Sequence, residues 1–73
     1  MSPEARTARE GLRQLARQAV RDAVKLQYVD PSGAKAAAEN GILIGQLLLF
    51  GTDEKCVDIY MELRPFFTRA VPS

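Results

Sequence analysis

The chain has no histidine and only one cysteine among its 73 residues. Without histidine, a general base would have to be a carboxylate, a lysine or a tyrosine, and no acidic residue lies in an apolar stretch that would tune it for catalysis. The lone Cys56 cannot form an intramolecular disulfide or complete a Cys-His or metal site. We therefore expect Cys56 to be buried in the core as a small hydrophobic residue. The sequence therefore predicts neither an enzyme nor a metal or cofactor site.

The chain also lacks a long apolar run. The run at 41–50 is well short of the ~20 residues that a membrane-spanning helix needs, and no secretory signal opens the sequence. A single cysteine suits a reducing compartment. We therefore expect a cytoplasmic protein with no membrane contact and no small-molecule substrate. We expect residues 1–73 to form one domain. A domain of this size buries only about 60% of its unfolded surface, so we expect either marginal stability or stability that depends on a partner.

Apolar periodicity and turn residues predict an all-α fold of three helices. Ser2 caps the first helix, Asp30 the second, and Thr52 or Asp53 the third, which Pro65 either stops or extends by a last turn. The connections are short, so consecutive helices should be antiparallel neighbours in an up-down-up bundle. The expected helices are about 3–28, 31–50 and 53–64.

The second helix is apolar on every face from Gly41 to Gly51, so we expect it to be the buried centre of the fold. A strand is an alternative for so short a run, although the Ala-rich lead-in favours a helix. Gly51 should end the helix in a left-handed conformation. Gly45 costs about 1 kcal/mol relative to Ala, and with Ala37 and Gly41 it is expected to form a ridge for close helix packing. The second half of the first helix should be better buried than the first half.

Two rows of like charge follow a four-residue spacing. Residues 1–29 carry six basic and three acidic residues, whereas residues 30–73 carry four basic and six acidic ones. Like charges at this spacing repel by about 0.2–0.5 kcal/mol per pair, which indicates a counter-charge. The basic row is Arg9, Arg13, Arg17, Arg21 and Lys25, and the acidic row is Glu54, Asp58 and Glu62.

Protein is the best partner for these rows, either in a homo-oligomer or in a charged hetero-complex. Nucleic acid is the weaker alternative, because the basic row has no interleaved aromatic residue and the third helix is acidic where a helix-turn-helix would place its reading helix. For most of the individual charges, a solvated surface is the better explanation. Phe66 and Phe67 have two interpretations, as the closing residues of the core or as an exposed anchor for a partner.

Residues 51–60 resemble the turn and second helix of a tetratricopeptide unit. Gly51, Cys56 and Tyr60 match its Gly, small-residue and aromatic positions, while Asn40 and Ile44 depart from the pattern of the preceding helix. Single hairpins of this type are similar to the small helical chaperones and co-chaperones of bacterial secretion systems. The resemblance implies a binding function. One such unit cannot bury its face alone, so the first helix or another chain must complete it.

Overall fold

The structure, a computed structural model, describes the backbone of residues 2–70 and the side chains of residues 2–65. Over that range the chain forms three α-helices and no strand, which confirms the predicted all-α class. No helix in the described range is long and apolar enough to cross a bilayer. The helices are α1 (Pro3–Leu26), α2 (Pro31–Phe50) and α3 (Asp53–Ala70).

A side-chain oxygen caps the start of each helix, as the order of the residues predicted. The first amides of a helix have no partner within it, and a hydroxyl or carboxylate just before the first turn can accept a hydrogen bond from one of them. The Ala5, Gly33 and Lys55 amides donate to Ser2 Oγ, Asp30 Oδ1 and Thr52 Oγ1, each over 3.1 Å.

The end of α1 and the conformation of Gly51 depart from the prediction. α1 ends at Leu26 rather than at Tyr28, and the Leu26 carbonyl accepts from the amides of both Val29 and Asp30, at 3.0 and 2.7 Å. Gly51 is extended rather than left-handed, with φ −78° and ψ 154°. Its amide lies 2.8 Å from the Leu47 carbonyl, and a Cβ at Gly51 would lie 2.5 Å from that same oxygen. Close approach, and not a positive φ, therefore requires glycine here.

Of the two alternatives for Pro65, the structure has the extension: α3 continues past Arg64 and through Pro65 to Ala70. Proline inside a helix removes one amide donor and crowds the carbonyl four residues before it. That carbonyl belongs to Met61, whose residue is more than half exposed. Water can therefore take the place of the missing donor, and the helix continues.

α1 is the central helix, and the prediction that α2 holds this place was wrong. α1 packs against both other helices, whereas α2 and α3 barely touch. The molecule measures 41 × 31 × 15 Å, so it is a single layer of helices, given a helix diameter of about 10–12 Å. A single layer covers α2 on one side only. Ala34 and Gly41 are consequently its only buried residues.

The core lies in the first half of α1, not in the second half as expected. α2 and α3 both cover the first half, whereas the second half packs against α2 alone and leaves Val20 and Val24 more than half exposed. The number of apolar residues in a segment does not say how many neighbours it has. The fully buried residues are Ala5, Ala8 and Leu12 of α1 together with Cys56 of α3, which confirms the expectation for Cys56.

Gly11 explains how α3 approaches α1 so closely. The ring of Tyr60 lies directly over Gly11, and a Cβ at this position would stand 2.8 Å from Tyr60 Cδ1. A real Cβ does not reach that distance without moving the ring. Gly11 lowers the helix propensity of α1, but its lack of a side chain makes room for the Tyr60 ring of α3.

We predict that Gly11→Ala lowers the free energy of unfolding by about 1–3 kcal/mol, because the methyl group overpacks this contact. In a Tyr60→Leu background the same substitution should cost nothing or stabilise by up to about 1 kcal/mol through helix propensity. Urea unfolding followed by circular dichroism measures this cycle. An equal cost in both backgrounds would contradict the contact.

Candidate interaction surfaces

Arg9 belongs to the predicted basic row, but its side chain is bonded within the fold. Its guanidinium donates to Asp53 Oδ1 at 2.8 Å, to the Leu48 carbonyl at 2.9 Å and to the Gly51 carbonyl at 3.2 Å. The Arg9 side chain is only 18% exposed. It therefore ties the end of α2 and the start of α3 to α1, and its role in partner binding is corrected to an internal one.

The rest of the basic row turns away from this contact. Each four-residue step rotates a side chain by about 40° around a helix with 3.6 residues per turn, so a row that begins inside ends outside. Arg13 is exposed and pairs with Glu10 at 2.6 Å. Arg17, Arg21 and Lys25 are exposed and make no ion pair with the part of the chain that the structure describes.

The acidic row lies on the exposed surface of α3. Glu54, Asp58 and Glu62 are all exposed, and none forms an ion pair among residues 2–65. The acid that meets the basic row is their neighbour Asp53, through Arg9. The two predicted rows therefore do not neutralise each other within one chain.

The predicted packing ridge on α2 is correct at one position and wrong at another. Gly41 is buried against α1, where a Cβ would lie 3.5 Å from Val20 Cγ2. Ala37 is half-buried beside it. At Gly45 the place of a Cβ has no neighbouring atom within 4 Å. The same rotation of about 40° per four-residue step carries Gly45 off the contact with α1.

The largest unpredicted feature is the exposure of apolar residues on two sides of α2. Ile42 and Leu43 are adjacent in sequence, about 100° apart around the helix, and each is 61% exposed. Leu49 and Phe50, about two turns further on, are 78% and 84% exposed. We call the side with Ala38, Ile42, Gly45 and Leu49 the Ile42 flank, and the side with Leu43, Leu47 and Phe50 the Leu43 flank.

The two flanks border different grooves along α1. On the Ile42 flank, Val20 and Val24 of α1 line the groove, and no charged side chain borders it. On the Leu43 flank, the groove is lined by Leu15 and Leu63 but also by polar Asn40 and acidic Asp22. The first groove is therefore suited to apolar contact and the second to a mixed one.

The remaining candidate residues add no chemical site. The side chains of Phe66 and Phe67 lie outside the described residues, so their two interpretations both stand. Among the described residues, no three His, Cys, Asp or Glu side chains come together as metal ligands would, and no buried polar side-chain atom lacks a hydrogen bond. The candidate surfaces are therefore the two flanks and the exposed charges.

Comparisons with protein-family models, with curated protein sequences and with solved structures find no match for this chain. The resemblance to a tetratricopeptide hairpin therefore stays a prediction. Its two helices correspond to α2 and α3, which contact α1 far more than each other. The function has to be argued from the surfaces of the chain itself.

We predict that Arg9→Leu lowers the free energy of unfolding by about 1.5–3 kcal/mol, because two carbonyls and a carboxylate lose a charged donor. Arg9→Lys should recover only part of this, since an ammonium cannot reproduce the planar fork of the guanidinium. Arg17→Leu is the matched control on the exposed part of the row, with an expected change within about 0.5 kcal/mol. Equal effects of Arg9→Leu and Arg17→Leu in urea unfolding would contradict this role of Arg9.

Proposed function

We propose that this chain is a small helical protein–protein interaction module of the cytoplasm, with a binding rather than a catalytic role. The observation that carries the proposal is the exposure of Ile42, Leu43, Leu49 and Phe50 along one helix. Contiguous exposed apolar residues on a folded domain are typical of interaction sites. A partner that covers α2 would supply the second layer that this chain lacks.

The total surface supports the same proposal. The chain exposes 5638 Å², whereas a compact monomer of 8.1 kDa is expected to expose about 4,500 Å². The excess of about 1,100 Å² exceeds the ~800 Å² that each partner buries in a standard protein interface. The resemblance to tetratricopeptide hairpins adds that the module is adaptor-like or chaperone-like.

Nucleic acid is the alternative partner, and one observation favours it. Arg17, Arg21 and Lys25 are exposed without an ion pair in the described part of the chain, so they are available to phosphates. Against it, the chain has a net charge of only +1. The apolar surface of α2 would also have no role in phosphate binding.

Two measurements on the full chain separate these functions. For a protein-binding module we expect light scattering to give a mass above 8.1 kDa, either alone or with a protein recovered by cross-linking in the native host. We expect no retention on random duplex DNA at low salt. Salt-dependent retention that Arg17→Gln/Arg21→Gln abolishes, with a monomeric mass and no cross-linked protein, would overturn the proposal in favour of nucleic acid.

A further inference from the structure

Resting on the proposed function, we propose that the partner is a second copy of this chain, docked on the Ile42 flank of α2 and on the adjoining Val20 and Val24. Each chain would then give the other its missing layer. Two α1–α2 hairpins stacked in this way form an intermolecular four-helix bundle, a stable arrangement for helices that each carry an apolar stripe.

The spacing of the Ile42 flank is that of a helix–helix seam. Ala38, Ile42, Gly45 and Leu49 follow each other in steps of four, three and four residues. Such steps keep side chains on one side of a helix and form the apolar seam of paired helices. Within this chain nothing packs over that seam, since Ile42 and Leu49 are mostly exposed and Gly45 borders open space.

Gly45 gives the seam the form that a two-fold contact needs. In a two-fold contact, residue i meets residue j and residue j meets residue i. When two copies of α2 cross in antiparallel directions between Gly45 and Gln46, Ile42 of each chain faces Leu49 of the other. A glycine at the crossing lets the two backbones approach closely. The dimer would therefore explain why position 45 is a glycine, whereas nothing around this position in the single chain requires one.

The chemistry of the groove favours a second copy over a charged partner. Its lining residues carry no charge, and Gln27 is the polar residue among them. The same surface on another chain is equally apolar, so neither chain has to bury a charge, which is costly without a partner. The groove beside the Leu43 flank includes Asp22, whose carboxylate would be buried by an apolar partner.

The excess surface of the whole chain is of the size that a stable dimer buries. The chain exposes about 1,100 Å² more than a compact monomer of its mass, and a standard interface takes about 800 Å² from each partner. One such contact would therefore remove most of the excess surface.

Ile42→Asp and Leu43→Asp are a matched pair that tests this inference. The two residues are adjacent, equally exposed and in the middle of the same helix, so both variants should keep the fold of the single chain. We expect sedimentation equilibrium to give a dimer of twice 8.1 kDa for the wild type and for Leu43→Asp. For Ile42→Asp we expect a dissociation constant at least about tenfold higher.

Gly45→Leu is the second variant, and it distinguishes the dimer from the single chain. Within one chain the added side chain meets open space and improves helix propensity by about 1 kcal/mol, so circular dichroism should show an intact helical fold. In the proposed dimer it blocks the approach of the two helices. We therefore expect a folded monomer.

Three results would overturn the inference. They are a monomeric wild type over the accessible concentrations, a dimer that Ile42→Asp leaves unchanged, and a dimer that Leu43→Asp weakens as much as Ile42→Asp. If the chain is monomeric but forms a complex with another protein, or assembles through a different surface, the proposed function stands without this inference. Retention on DNA with no protein complex removes both.

Discussion

The arrangement of the three helices depends on the hydrogen bonds that the Arg9 guanidinium donates. α2 and α3 are joined by a short link and barely touch each other, and the hydrogen bond from the Cys56 thiol to the Leu47 carbonyl, at 3.7 Å, is a long one. Arg9 fixes the link from α1 by holding the Leu48 and Gly51 carbonyls and the Asp53 carboxylate together. A lysine has no planar set of donors for three acceptors, which is why the position needs arginine.

Once Arg9 holds the link, the packing of α3 on α1 follows. Cys56 comes one turn after the link and is buried, and Tyr60 comes one turn later over Gly11. Small residues on α1 let these side chains approach the helix backbone. α3 therefore adds to the core only at the first half of α1, and the remaining half of the hairpin stays one layer thick.

The sequence was sufficient for the features that depend on neighbouring residues. Ser2, Asp30 and Thr52 cap helices through contacts three residues away, and such contacts need no knowledge of the fold. The place of Arg9 could not be predicted, because a four-residue spacing describes a row but not which end of it faces a neighbour. The burial of α2 was overestimated for a related reason, since an apolar helix predicts that partners exist but not that they belong to the same chain.

The exposure of α2 changes the interpretation of the apolar stretch at 41–50. In a chain with a second layer, these residues would form the core and their function would be stability alone. In this chain, Gly41 packs against α1 while Ile42 and Leu43 remain at the surface. The same helix thus serves the fold with one side and leaves two others at the surface, and the sequence already indicates these surfaces by its excess of apolar residues.

The burial of Cys56 has a consequence for how the molecule can be observed. Its thiol is the only one in the chain, has no exposed surface and donates a hydrogen bond to the Leu47 carbonyl at 3.7 Å. A reagent can reach this sulfur only after α3 has moved off α1, either in a local opening or in global unfolding. The rate at which a reagent modifies this single cysteine therefore reports how often the third helix separates from α1.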